Sequence, residues 1–144
     1  MNNSLKAIFA THAGLGITLL RVVTGLTFAA HGSQKLFAWF GGYGLAGTGQ
    51  WMESIGITPG YLMALLAGSA EFFGGLALVV GLLVRPAAAA LIVAMLVAIA
   101  SVHWANGFFI TANGFEYAMI LGLISAVLLI EGAGKLSLDR RIAS

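Results

Sequence analysis

No cysteine occurs among the 144 residues. Disulfides, thiolate catalysis and cysteine-ligated metal or iron–sulfur centres are therefore excluded. Charge is also scarce, at 8% of residues against about a quarter in soluble domains. So little charge cannot cover a water-facing surface. With 60% hydrophobic residues, the solvent for most of the chain must be lipid. The net charge of +2 reflects a handful of basic residues rather than a basic patch, so nucleic-acid binding has no support. Flavin and nicotinamide fingerprints are missing too, so the chain shows no electron carrier of its own. The length suits one compact domain spanning residues 1–144.

What is present is a series of long apolar segments. A helix needs about 20 apolar residues to cross the hydrocarbon core. Four segments qualify, at approximately residues 14–36, 61–84, 87–104 and 115–131. Pro59 and Pro86 stand just ahead of the second and third, where proline suits a helix start. Lys6 precedes an apolar stretch, as in a signal peptide. That stretch contains Arg21 and outruns a typical h-region of about 7–15 residues, so a retained helix is expected. The expected fold is all-α, an integral membrane four-helix bundle.

Four crossings put both termini on one side, together with the second-to-third connection. That side holds Lys6, Arg85, Lys135, Arg140 and Arg141, and the opposite side holds Lys35 alone. The Lys/Arg rule then predicts a multi-pass membrane protein with both termini cytoplasmic. Between the first two spans, "GGYGLAGTGQWMESIG" sets Leu45, Met52 and Ile55 at near-helical spacing. This predicts a short amphipathic helix at the outer interface, with Trp39, Tyr43 and Trp51 at headgroup depth. A glycine-rich loop with aromatic anchors is the alternative.

Ionisable residues inside a membrane cost about 2.5–3.5 kcal/mol each on insertion scales and are treated by default as functional. The set is Arg21, His31, Lys35, Glu71, His103 and Glu116. Arg21 and Glu71 fall near the middle of the first two spans, which predicts an ion pair across the bundle interior. Such a pair either holds the helices in register or also touches a ligand. Ala67, Gly68, Gly74 and Gly75 surround Glu71 along its helix and let another backbone approach.

His31 and Lys35 lie four residues apart, on one face at the outer end of the first span. His103 ends the third span and Glu116 begins the fourth. Asn106 and Asn113 sit between them in two Asn-Gly turn signals. Together these residues predict a polar recess opening outward, with Glu71 at its floor and with His31, His103 and Glu116 close to one another. Taken singly, each reads more readily as an ordinary interfacial helix end. The sequence names no catalytic residue and no metal site.

At these residues the sequence resembles the DoxX family of small four-helix membrane proteins. The resemblance is carried by "LLRVVTGLTFAAHGSQKLFAWFGG", "GLAGTGQWMESIGI", "AEFFGG", "VRPAA", "VHWANGFFITANGFEY" and "LSLDRRI", in that order along nearly the whole chain. It implies an inner-membrane location. The family includes a subunit of an archaeal thiosulfate:quinone oxidoreductase and a mycobacterial member associated with a membrane oxidoreductase complex, and other members are linked to quinone or thiol stress.

Two functional readings follow. In the first, the chain is a redox-associated subunit that binds a quinone-like or other small amphiphile in the bundle and takes its electrons from a partner protein. His31, Lys35, His103 and Arg21 would donate hydrogen bonds to quinone oxygens, and Glu71 or Glu116 would relay protons. In the second, it is a non-catalytic scaffold or chaperone-like protein whose helices contact another protein. The small-residue stripe Ala90, Ala94 and Ala98 packs either inside the bundle or against a second copy as a homo-oligomer. Haem ligation by His31 and His103 is disfavoured, because most histidine pairs at one depth are not ligands.

Overall fold

A computed structural model describes residues 3–11 and 14–144. Among the described residues there are helices and turns and no strand. The helices are α1 (Asn3–Phe9), α2 (Leu15–Phe37), α3 (Gly44–Ser54), α4 (Gly60–Val80), α5 (Val84–Ala98), α6 (Glu116–Glu131) and α7 (Leu138–Ala143). A π-helical turn at Ile99–His103 and a 3-10 turn at Trp104–Asn106 continue α5. Three stretches are long and apolar enough to cross a membrane: Leu15–Phe37, Gly60–Val80 and Val84–Asn106. Helix α6, at 16 residues, is shorter and packs along α5.

Helices α2 and α4 run antiparallel in close contact, and glycine makes the contact possible. A Cβ added to Gly25 would lie 2.6 Å from the Gly75 carbonyl oxygen, and one on Gly75 would lie 2.5 Å from the Ala29 amide nitrogen. Gly32 likewise faces the backbone of Phe72. The interior is apolar, built on Phe28, Leu78, Val84, Leu91, Leu121 and Leu128. The outer faces are apolar too, with Leu19, Val23, Phe73, Val93, Leu123 and Ile130 exposed. Helices hydrophobic on every side belong in lipid.

Helix α4 stops at Gly81, which adopts a left-handed conformation (φ 73°), earlier than the span expected to reach residue 84. Helix α5 then begins at Val84 and takes Pro86 into its first turn, where no intrahelical N–H bond is needed from it. Its start is capped from far away in sequence. The buried Asp139 carboxylate accepts bonds from the Leu83 and Val84 amides at 2.7 and 2.9 Å. Burial raises the Asp139 pKa, while those two bonds and the guanidiniums of Arg21 and Arg85 pull it down.

The expected Arg21–Glu71 pair does not form. Arg21 is buried and donates to the carbonyls of Leu78, Val79 and Leu136. Glu71 pairs instead with Lys35, Nζ to Oε2 at 2.6 Å. The reason is register. Gly25 packs against Gly75 and Leu78, and Gly32 against Phe72, so Glu71 lies level with residues near Gly32. Arg21 is 11 residues further along α2, about 16 Å away at 1.5 Å per residue. There it meets the Leu78 and Val79 carbonyls in the last turn of α4 and the Leu136 carbonyl beyond α6.

Candidate functional site

A cavity of about 520 Å³ opens at the end of the helices remote from the termini. It lies between α2, α4, α5 and α6 and is roofed by α3. Helix α3 itself is shaped to sit there: it buries Thr48, Gly49 and Met52, and Gly49 rests on the backbone of Tyr61. Glu53 at its end accepts a bond from the Gly60 amide at 3.1 Å and so caps α4.

Helix α2 contributes Phe28, His31, Gln34 and Lys35 to the cavity wall, and α4 contributes Ala67 and Glu71. Lys35 stands one turn beyond His31, as their spacing requires. The Lys35–Glu71 pair is well shielded, with 6% of the Glu71 side chain and 24% of the Lys35 side chain exposed. The two charges cancel inside the cavity. His31 packs its ring on Tyr117 of α6 at 6.0 Å between centroids. Neither of its ring nitrogens has a hydrogen-bond partner among the described residues.

The opposite wall comes from α5 and its π turn. Ala94, Ala98, Val102 and His103 line the cavity, and the five-residue step from Ala98 to His103 matches π-helical spacing. His103 Nδ1 lies 2.9 Å from the Asn113 carbonyl. A carbonyl only accepts, so Nδ1 carries the hydrogen. Asn106 Nδ2 donates to the same carbonyl at 3.1 Å and to the Val102 carbonyl at 3.2 Å, which steadies the turn. Asn113 itself is in the left-handed region (φ 59°) and lines the cavity.

The sequence-predicted residues therefore divide. His31, Lys35, Glu71, His103 and Asn113 meet around one cavity. Arg21, Asn106 and Glu116 do not line it. Glu116 was expected near the two histidines, but its Oε2 accepts from the Ile110 amide at 2.9 Å and fixes the loop instead. A carboxylate at a helix start is well placed to satisfy a neighbouring backbone donor, and here that use wins. The alanine stripe divides as well, with Ala94 and Ala98 on the cavity wall and Ala90 exposed.

Sequence reasoning left Gln34, Thr48 and Tyr117 out of the site, and Tyr43 and Trp51, expected at headgroup depth, also line the cavity. Gln34 and Tyr117 carried a usable signal. Gln34 stands beside Lys35, and Tyr117 follows Glu116 at a helix start. Among the described residues no group of three or more His, Cys, Asp or Glu side chains is arranged to hold a metal ion.

An apolar exterior around a small internal cavity with a neutralised ion pair defines a membrane protein with a candidate ligand site. The chain belongs to the DoxX family, whose match covers residues 16–104. It is similar to an uncharacterized protein of Haemophilus influenzae, 33% identical over 132 residues that span 87% of this chain and 89% of the relative. It is also similar to a Bacillus subtilis protein named "Putative oxidoreductase CatD", 33% identical over 87% of this chain and 85% of the relative. An uncharacterized membrane protein of Mycobacterium tuberculosis is 34% identical over 88% of this chain and 81% of its own length. No solved structure gives a significant match.

Proposed function

We propose that this chain is a redox-associated inner-membrane protein that binds a quinone-like or other small neutral amphiphile in the cavity between α2, α4, α5 and α6. One observation carries the reading. The cavity is walled mainly by apolar and aromatic side chains, its ion pair is internally neutral, and His31, whose ring nitrogens have no hydrogen-bond partner among the described residues, lines it beside that pair. Such a site favours an uncharged ligand with hydrogen-bonding oxygens over an ion. Its volume of about 520 Å³ lies within the range of small-molecule pockets, about 300–1,000 Å³. The ligand would accept bonds from His31 or Lys35 at one oxygen and from Gln34 or Tyr117 near another. Electrons would come from a partner protein, because this chain carries no flavin or nicotinamide fingerprint. The name of the Bacillus subtilis relative supports a redox setting.

In this reading α6 is a fourth crossing, α3 lies at the outer interface, and both termini are cytoplasmic. The basic residues Arg85, Lys135, Arg140 and Arg141 all stand at the termini end, with Lys35 at the other. Reporter fusions at Ser144 should behave as cytoplasmic, and a tag inserted at Gly47 should be reached from outside. A C-terminus exposed to the exterior would overturn this orientation.

Binding itself is tested by fluorescence. Trp51 lines the cavity, so a short-chain quinone analogue should quench its emission saturably. The quench should weaken at least fivefold in apparent affinity in His31→Leu. Equal quenching of the two proteins would count against the site.

A further inference from the structure

The termini end of the molecule carries a second cavity, also of about 520 Å³, that the reading above leaves unused. The geometry points to a binding site for the phosphate of an anionic phospholipid, formed by Lys135, Arg140 and Arg141 beside the exposed end of α4. The cavity is lined by these three cations, by Ser137, by apolar Val80, Leu136 and Leu138, and by Ser144 at the end of the chain, with no Asp or Glu among its lining residues.

The cations are free to act. Arg21 and Arg85, the other arginines at this end, are committed to backbone carbonyls. Lys135, Arg140 and Arg141 are exposed, and among the described residues their side chains take no hydrogen bond or ion pair. Three cations with no ion-pair partner among the described residues, gathered around one concavity, attract a multiply bonded anion, and arginine matches phosphate oxygens in pairs.

The frame that holds them is fixed. Gly134 turns the chain in a left-handed conformation (φ 77°), and its amide donates to Thr11 Oγ1 at 2.7 Å. Buried Ser137 donates from Oγ to the Gly134 carbonyl at 3.0 Å and accepts from the Arg140 amide at 3.2 Å. Asp139 ties α7 to the start of α5. Lys135 and the two arginines are thus carried by backbone that is pinned at three points.

The apolar wall selects a lipid over a free anion. Val80 is 51% exposed at the last turn of a helix long enough to cross a membrane, and Leu136, next to the cations, is 67% exposed. A phosphate seated among the cations would therefore leave acyl chains to run along the lipid-facing side of α4. Basic clefts of this kind at the cytoplasmic ends of helices suit anionic headgroups.

The test uses the full chain in nanodiscs of mixed phosphatidylglycerol and phosphatidylcholine, with retained lipids read by native mass spectrometry. The wild type should keep phosphatidylglycerol in preference to phosphatidylcholine. Each cation replaced by glutamine should reduce the preference about fivefold, and Lys135→Gln/Arg140→Gln/Arg141→Gln should abolish it. Arg140→Lys/Arg141→Lys, which keeps the charge, should retain most of it. A triple variant that melts with the wild type yet still prefers phosphatidylglycerol would overturn the proposal. Inorganic phosphate at millimolar concentration should leave the preference unchanged, and full displacement of phosphatidylglycerol by it would assign the cavity to a free anion instead.

Discussion

Replacing Lys35 with leucine is expected to destabilise the protein more than replacing Lys35 and Glu71 together. The single change leaves the Glu71 carboxylate, 6% exposed, without its partner at 2.6 Å. Removing one member of a buried pair costs about 3–5 kcal/mol, because the remaining charge is left uncompensated. The lower end applies here, since Lys35 keeps about a quarter of its side chain exposed and water reaches it. Glu71→Leu should be milder, because an orphaned lysine on a flexible stem can swing toward water. The double change leaves no charge and adds apolar volume beside Phe28. Thermal melting in one detergent would measure all three variants, and the predicted coupling is of opposite sign to the single losses. Strict additivity would show that the ion pair contributes nothing to the fold.

A contrast between adjacent glycines gives the second large effect. Gly75→Ala should lower stability by about 1–3 kcal/mol or more, because its Cβ would press on Ala29 and Gly25 backbone atoms at 2.5 and 2.6 Å. Backbone cannot change rotamer to make room, so α2 and α4 would have to separate. Gly74→Ala should be neutral or stabilising. Its Cβ would meet only the end of the Leu91 side chain, at 3.4 Å, and alanine is favoured over glycine in a helix by about 1 kcal/mol. The same melting assay ranks the pair. A Gly75→Ala protein as stable as Gly74→Ala would contradict the glycine-mediated contact on which the Lys35–Glu71 register depends.

The helices themselves were legible because long apolar segments leave few alternatives in a chain with so little charge. The gathering of His31, Lys35, His103 and Asn113 was legible as well, since each stands at a helix end that topology brings to the same side. The pairing of Arg21 was not. Its partners are carbonyls of Leu78, Val79 and Leu136, and a backbone acceptor leaves no trace in residue type. Counting from the middle of each span assumed that α2 and α4 are level. Their offset is set instead by which glycines meet. The part played by Asp139 was hidden for a related reason, because it caps a helix that begins 55 residues earlier in the chain. Glu116 shows the converse difficulty, in that one carboxylate beside a helix start reads equally as a loop fastener and as a site residue.

Mass spectrometry of the purified protein bears most directly on the cavity as a site for a quinone-like amphiphile. Organic extracts of the wild type should contain a lipophilic quinone at about one per chain. Ala98→Trp, which fills the cavity from the α5 wall, should melt near the wild-type temperature and lose it. An extract with no quinone above the level of unrelated membrane proteins prepared in parallel would contradict the account, as would equal quinone in the filled variant.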